Sequence, residues 1–144
     1  AVMQDGRIAQ MGAPESLYAW PETAYVADFV GSANLLPVDY LAAGTVAVAG
    51  QSLQVDTSAA DPGRSNQLVL RSEALSLFPR DGADGPNQLG VTLVGRQYLG
   101  AKTLCRVALE GGQVLQVDAP GLQRYQPGEA LWLQVPDSSR VICQ

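Results

Sequence analysis

The hydrophobic pattern of this chain changes period at Gly31, and that change constrains the fold more than any other feature. Before Gly31, Tyr25 and Phe29 fall on one side of a short helix, as a period of about 3.6 residues requires. After it, apolar and polar residues alternate in segments such as 45–49 and 52–55, which is typical of half-buried strands. The sequence therefore predicts a short helical segment followed by a longer β segment.

Further strands are predicted at short intervals along the rest of the chain. They cover residues 67–71, 75–78, 90–98, 102–109, 113–117 and 130–135. Turns rich in Gly, Pro and Asp separate them, and residues 80–87 form the longest of these turns. At the N-terminus, the Asp5–Gly6 turn predicts a hairpin over residues 1–12, with helices over 14–20 and 22–30. About eight to ten short strands at this spacing predict a mainly β fold, either a small closed barrel or a sandwich.

Charge and composition disfavour several classes of function. The 144 residues include 9 Lys and Arg against 14 Asp and Glu, and this net charge of −5 opposes binding to a nucleic-acid backbone. The chain has no histidine, so the commonest general base and metal ligand is missing. No apolar run approaches the length of about 18 residues that a membrane span needs. We expect no nucleic-acid partner, no metal site and no direct membrane insertion.

The two cysteines, Cys105 and Cys143, are far apart in sequence and lack CxxC spacing. A zinc site is therefore not predicted, and a disulfide requires that the fold bring them together. Two free thiols are the favoured interpretation, with Cys105 half-buried on a strand and Cys143 near a frayed end.

Neither carboxylates nor glycines predict a catalytic or nucleotide site. Asp56, Asp61, Asp81, Asp84, Asp118 and Asp137 nearly all lie beside Gly, Pro or Ser in turns, where Asp caps the backbone. Residues 95–103 come close to a phosphate-binding loop, but Ala101 breaks its spacing. The alternation after Thr103 predicts a strand where that loop requires a helix. We expect a β-turn at Leu99–Gly100 and no catalytic residue.

The first 36 residues carry a motif, V-M-Q-D-G-R-I-A-Q-M-G-A-P-E-S-L-Y-A-W-P at 2–21 and F-V-G-S-A-N-L-L at 29–36. This order resembles the last segment of the ATP-binding subunit of bacterial ABC importers. The resemblance implies that residues 1–31 are the terminal hairpin and helices of an ABC ATPase domain, whose remainder would lie upstream.

Later motifs resemble the TOBE domain that follows such ATPases. They are L-R-S-E-A-L-S-L at 70–77, Y-L-G-A-K-T at 98–103, E-G-G-Q-V-L-Q-V at 110–117 and P-G-E-A-L-W-L at 127–133. The resemblance implies that residues 32–144 form an OB-like β-barrel. One departure is Ser72, which stands where the family pattern has proline between Arg71 and Glu73.

The family resemblance implies a non-catalytic regulatory and dimerisation domain of an importer subunit. The parent would bind ATP and Mg²⁺ upstream, pair with itself, contact membrane permease subunits and lie at the cytoplasmic face of the membrane. The solute would be of the iron(III), polyamine, phosphonate or sulfate type. The alternative is a small-ligand sensing module for an oxyanion or the solute, with Lys102 and Thr103 as weak candidates.

Further candidate residues belong to interfaces. Trp20, Tyr25 and Phe29 have the spacing of a helix-pair core, and the resemblance implies that they pack on the ATPase. Without it, their exposed surface favours a homodimer. Arg71 and Glu73 either form an ion pair at a strand end or contact the ATPase domain or a partner subunit. For Trp132, a core or interface position is favoured over a ligand platform.

Overall fold

The computed structural model describes residues 1–31, 33–81 and 85–143. The N-terminal segment consists of a hairpin, β1 (Val2–Gln4) and β2 (Arg7–Gln10), followed by helices α1 (Pro14–Ala19) and α2 (Ala24–Phe29). The rest of the chain is built from β3 (Ala33–Ala42), β4 (Thr45–Val48), β5 (Gln51–Gln54), β6 (Asp56–Ala59), β7 (Asn66–Arg71), β8 (Ser76–Pro79), β9 (Gln88–Tyr98), β10 (Lys102–Leu109), β11 (Val114–Pro120), β12 (Ala130–Gln134) and β13 (Arg140–Cys143). A short 3₁₀ turn, Ser72–Ala74, connects β7 to β8. The predicted mainly β fold is confirmed.

Two curved sheets share one core and form the OB-like barrel. The first has the strand order β11-β10-β9-β12-β8, and the second has the order β5-β4-β3-β7-β13-β6. Their pairs are antiparallel except β13 with β6, which run parallel. Buried apolar side chains from both sheets form a single cluster that includes Leu36, Leu53, Leu68, Leu93, Val107 and Leu131. Burial of such side chains supplies the main stabilising term of the barrel.

Two asparagine side chains connect the sheets by imitating a strand partner. Asn34 on β3 donates to the carbonyl oxygens of Leu70, at 3.2 Å, and Gln116, at 2.8 Å, and accepts from the Gln116 amide at 2.9 Å. Asn87 makes the equivalent exchange with Gln54 on β5, accepting at 2.8 Å and donating at 2.7 Å. These bonds satisfy backbone groups at places where the ladders are interrupted.

Helix α2 packs against the outer face of the second sheet. Ala27 contacts Val69 of β7 and Ile142 of β13 in a separate apolar cluster. Because β7 is covered by the barrel core on one face and by α2 on the other, its central residues Leu68, Val69 and Leu70 are apolar without alternation. A third small cluster, formed by Val2, Leu17 and Val26, holds the N-terminal hairpin and the two helices together.

The structure contains strands that the sequence did not predict. β3 was missed because Pro37 lies inside it, and proline usually argues against a strand. No strand is predicted between residues 55 and 67, yet β6 occupies 56–59 because β13 pairs with it from far along the chain. Part of the predicted 80–87 turn, including Asp84, lies outside the described residues.

Both cysteines differ in detail from the prediction. Cys105 on β10 is fully buried, not half-buried, and burial raises the pKa of its thiol. Cys143 does not lie at a frayed end, because it belongs to β13 and pairs with Asn66 of β7. Both are free thiols, as expected.

Candidate functional site

The Arg71 side chain connects the end of β7 to both helices. Its Nη1 donates to the carbonyl oxygens of Ala27 at 2.7 Å and Gly31 at 3.1 Å. Its Nη2 donates to the carbonyl oxygen of Tyr18 at 3.0 Å. These carbonyls belong to the C-terminal ends of α1 and α2, where backbone acceptors lack intrahelical partners and a cation is favourable. Arg71 therefore anchors the helical segment to the barrel.

Two aromatic side chains of the α1 region cover two barrel arginines. The Arg71 guanidinium lies 4.3 Å from the centroid of the Tyr18 ring, and that of Arg140 lies 5.2 Å from the centroid of a Trp20 ring. Cation–π contacts at this range are favourable. Arg71 and Arg140 lie on the paired strands β7 and β13, where Arg140 is opposite Val69. We call the boundary formed by Tyr18, Trp20, Arg71 and Arg140 the arginine seam.

Positive charge in the arginine seam is only partly compensated. Arg71 is 9% exposed, and its burial lowers the pKa of the guanidinium, with the negative charge of Asp28 opposing that shift. Arg140 Nη1 lies 3.7 Å from Asp56 Oδ2, which is long for an ion pair. The Asp56 carboxylate also accepts a hydrogen bond from the Ser58 backbone amide, and the hydrogen bonds from Ser58 lower the pKa of Asp56.

A cavity of about 140 Å³ opens at the arginine seam. Tyr18 and Pro21 form its wall on the helical side, and Arg71, Arg140, Ser138 and Ser139 line it on the barrel side. Arg140 Nε is buried and has no hydrogen-bond partner among the described residues. The cavity thus combines two guanidinium groups with two hydroxyl side chains.

Glu73 does not pair with Arg71. It is exposed in the 3₁₀ turn after β7, and the ion pairs found among the described residues are Lys102–Asp118 and Arg140–Asp56. The backbone carbonyl oxygens to which Arg71 donates belong to the N-terminal segment, 40 to 53 positions away in sequence.

The buried residues of the two helices are Leu17, Val26 and Ala27, so the helices do not pack on each other through Trp20, Tyr25 and Phe29, whose place at an interface stays a prediction. Trp20 and Phe29 are 55% and 63% exposed. Tyr25 stacks on Phe29 with ring centroids 5.9 Å apart and donates from its hydroxyl to the Met3 carbonyl oxygen at 2.8 Å. Met3, Ile8 and Met11 are exposed as well, and we call these six exposed side chains of the N-terminal segment the N-terminal apolar face.

Trp132 lies on the outer face of the barrel, away from the arginine seam. It is half-buried on β12 opposite Phe78 of β8, and the Arg80 guanidinium covers its ring at 5.0 Å from the centroid. Arg80 also donates to the carbonyl oxygens of Val91 and Leu131. The ring is therefore part of a packed surface layer.

Lys102 and Thr103 are engaged in contacts within the barrel. Lys102 Nζ lies 3.1 Å from Asp118 Oδ2 across the β10–β11 pair. The buried Thr103 hydroxyl donates to the Gly121 carbonyl oxygen at 2.7 Å and accepts from the Gln123 amide at 3.2 Å. These contacts order the loop after β11 and leave little free capacity for a ligand.

Residues 95–103 form the predicted strand–turn–strand. β9 and β10 are paired through Tyr98 and Thr103, with the turn between them. Elsewhere in the described ranges, no group of three or more acidic or cysteine side chains is arranged to hold a metal ion. Neither α1 nor α2, the helices among those residues, has the length and apolar character needed to cross a bilayer.

The family follows from a match over slightly more than half of the chain. Residues 68–142, which include both seam arginines, match the family model described as TOBE domain. The chain belongs to the TOBE domain family. The predicted family is confirmed, and the barrel described above is a TOBE barrel.

Relatives of this TOBE chain are named as import ATP-binding proteins. The Fe(3+) ions import ATP-binding protein FbpC of Brucella abortus (strain 2308) is 34% identical over 130 residues, which cover 88% of this chain and 35% of the relative. The spermidine/putrescine import ATP-binding protein PotA 2 of Pseudomonas aeruginosa is 35% identical over 153 residues, which cover 96% of this chain and 39% of the relative. The sulfate/thiosulfate import ATP-binding protein CysA of Bradyrhizobium diazoefficiens is 33% identical over 133 residues, covering 92% and 37%. The chain spans little more than a third of each.

A solved structure has the same barrel fold. The cytoplasmic molybdate-binding protein ModG, with molybdate bound, superposes with a TM-score of 0.55 over 78% of this chain and 93% of that one. The two sequences are 16% identical, so the likeness concerns the fold alone.

Sequence reasoning missed Tyr18 and Arg140 as members of the arginine seam. The segment Val141-Ile142-Cys143 after the turn-forming Pro136-Asp137-Ser138-Ser139 does carry a strand signal, which would have placed Arg140 at a strand start. Nothing in the local pattern pairs it with Trp20, which lies at the other end of the chain.

Proposed function

We propose that this chain is the C-terminal accessory domain of the ATP-binding subunit of an ABC importer. In this proposal the TOBE barrel regulates the subunit and helps to hold two subunits together. The observation that carries it is the set of relatives named as import ATP-binding proteins, together with the TOBE match. The catalytic residues, ATP and Mg²⁺ belong to the part of the parent outside this chain.

The N-terminal apolar face supports an interface on the helical side. Large apolar side chains exposed close together often mark a surface that packs against a partner, and six of them lie in this short segment. We propose that residues 1–31 form the end of the ATPase domain and that this face packs against the rest of it. Arg71 then provides a rigid connection from that domain to the barrel, because one side chain bonds to both helices.

The remaining partners and the location follow from the same proposal. The parent contacts membrane permease subunits and lies at the cytoplasmic face of the membrane, without inserting and without a nucleic-acid partner. The solute is of the iron(III), polyamine, phosphonate or sulfate type. The relatives' names include Fe(3+), spermidine/putrescine and sulfate/thiosulfate, so they support this range without selecting one solute.

ATP hydrolysis by the longer subunit, with and without the barrel, tests this proposal. We expect a form that ends before β3 to retain basal hydrolysis, because no catalytic residue is assigned to the barrel. It should lose the response of hydrolysis to the permease or to solute. This chain alone should not hydrolyse ATP. Hydrolysis by this chain, or an unchanged response without the barrel, would contradict the proposed role.

A further inference from the structure

We propose that a groove on the outer face of the first sheet binds an acidic peptide segment of a partner protein. The groove has a volume of about 490 Å³ and is formed by β9, β10 and β11. We call it the β9–β11 groove, and it is lined by Arg96, Gln97, Leu104, Arg106 and Gln116. The proposal goes beyond the importer role and does not depend on it, because every residue that it uses lies in this chain.

The β9–β11 groove is accessible because its floor is the outward side of the sheet. On β10, Leu104 and Arg106 alternate with Cys105 and Val107, which belong to the barrel core. Gln116 of β11 lies opposite Arg106. A partner can therefore contact the half-buried Leu104 and the exposed Arg106 without any change in the barrel.

The backbone of β9 positions the Arg106 guanidinium. Arg106 is paired with Gly95, and the register shifts directly after this pair, so that Val94 is an extra residue on β9. A Cβ atom at position 95 would lie 2.9 Å from Arg106 Nη2. The guanidinium thus lies close against the strand, in a space that exists because Gly95 has no side chain. A donor that is already positioned binds a carboxylate at a lower entropic cost.

The two guanidinium groups of the groove have free donors. Within the described ranges, Arg106 forms no hydrogen bond and no ion pair, and Arg96 donates from Nη1 to the Gln123 carbonyl oxygen. A guanidinium has five N–H groups, so most of these donors remain available. Residues 96–106 also contain three of the nine Lys and Arg of the chain and none of its Asp or Glu. The groove is therefore locally positive although the chain as a whole is acidic.

The carboxylate nearest to the groove along β11 does not neutralise it. Asp118 accepts from Lys102 Nζ at 3.1 Å and from Gln116 Nε2 at 3.2 Å. Its charge is thus compensated by Lys102, on the far side of Leu104 from Arg106. The residues paired with Arg106 on the two neighbouring strands, Gly95 and Gln116, carry no charge.

An acidic peptide suits this arrangement better than other anions. Guanidinium groups form bidentate pairs with carboxylates, and two of them in one groove favour a segment with more than one acidic side chain. Leu104 adds an apolar contact beside Arg106, which a peptide can also cover. A nucleic-acid backbone is disfavoured, because the net charge of −5 repels a polyanion outside the groove.

The test is the fluorescence anisotropy of a labelled peptide, Gly-Glu-Glu-Leu-Glu-Glu-Gly, titrated with the full 144-residue chain. The same peptide with Gln in place of Glu is the reference. We expect saturable binding of the acidic peptide, which weakens as sodium chloride is added because salt screens exposed charges. The Gln peptide should bind at least about tenfold more weakly, since it cannot form charge-assisted hydrogen bonds.

Variants of the chain identify the groove as the binding surface. Arg106→Gln should weaken binding about fivefold or more, because it removes a bidentate partner. Arg7→Gln removes the same charge from an exposed side chain of β2, outside the groove, and should leave the affinity unchanged. Gly95→Ala removes no charge, but its Cβ displaces the Arg106 guanidinium, so it should weaken binding about threefold.

Thermal unfolding verifies that each variant is folded before its affinity is compared. No saturable binding of the acidic peptide would overturn the proposal, and so would equal affinities of the Arg106→Gln and Arg7→Gln variants. Binding of a single-stranded oligonucleotide as tight as that of the acidic peptide would also overturn it, because the groove would then be a general surface for polyanions.

Discussion

The Arg71 guanidinium lies over the Tyr18 ring, 4.3 Å from its centroid, and also donates a hydrogen bond to the Tyr18 carbonyl oxygen at 3.0 Å. The same residue of α1 is thus held through its side chain and its backbone. With the bonds to Ala27 and Gly31, one barrel side chain fixes the ends of both helices. The position of the helical segment depends on this arginine more than on any other polar contact described here.

Arg71→Met should destabilise the chain by about 2–3 kcal/mol, because three carbonyl oxygens lose a charged donor. The free energy of unfolding is measured by urea denaturation. Arg106→Met is the matched control, since that side chain is exposed, and it should change stability little. Hydrogen exchange should show the largest loss of protection at the Leu17 and Val30 amides, which form helix bonds. Equal stabilities of the two variants would show that Arg71 does not anchor the helices.

Asn34→Ala should destabilise the barrel by about 1–3 kcal/mol, because the amide and carbonyl of Gln116 and the carbonyl of Leu70 lose a partner. Thermal unfolding of this variant is compared with that of Thr92→Ala, an exposed position on β9. Asn34→Asp keeps the acceptor but loses both amide donors, so at neutral pH it should not restore stability. A wild-type melting temperature for Asn34→Ala would contradict the proposed role of Asn34 between the sheets.

Thr103→Val should cost about 1–2 kcal/mol, because it removes a buried hydroxyl that bonds to Gly121 and Gln123. Thr103→Ser keeps that hydroxyl and should retain more stability. Lys102→Met breaks an exposed ion pair and should cost less than about 1 kcal/mol. Chemical denaturation of the three variants provides the measurement. A larger loss for Lys102→Met than for Thr103→Val would reverse the expected order.

Asp56 should contribute to stability at neutral pH and lose that contribution in acid. Hydrogen bonds from Ser58, and to a lesser extent the charge of Arg140, lower the pKa of Asp56 below its usual value in the folded chain. A lowered folded-state pKa stabilises the protein above the unfolded value, and the effect disappears as pH falls through the folded value. Urea unfolding from pH 7 to pH 3 should therefore show the deficit of Asp56→Asn shrinking below about pH 5. Asp39→Asn, at an exposed carboxylate, is the control. A deficit that grows in acid would contradict this assignment.

The predicted strands that proved correct share a physical cause. From β9 to β12, each strand pairs with a neighbour close in sequence or alternates clearly between core and solvent, so the local pattern carries the information. β6 and β13 depend on pairing across the length of the chain. Their local patterns were too weak to predict alone.

The candidate site, too, could be predicted only where local sequence carries the information. Arg71 was selected from the sequence because its motif resembles one in the TOBE family. Its partners Tyr18 and Ala27 could not be predicted, because they come from helices far along the chain. Trp20, Tyr25 and Phe29 were correctly placed on helices or beside them, but helical spacing did not distinguish the buried stripe from the exposed face.

The proposed pairing of this chain with itself is tested most directly by sedimentation equilibrium over a concentration series. We predict a dimer that persists at low micromolar concentration, because the N-terminal apolar face, which we propose to pack against the ATPase domain in the parent, is uncovered in this chain. The dimer should be weaker for Phe29→Ser, since Phe29 is the most exposed aromatic of that face. Val94→Ser, at an exposed position of β9, should leave the dimer unchanged. A monomer at every concentration would contradict a dimerisation role for this chain.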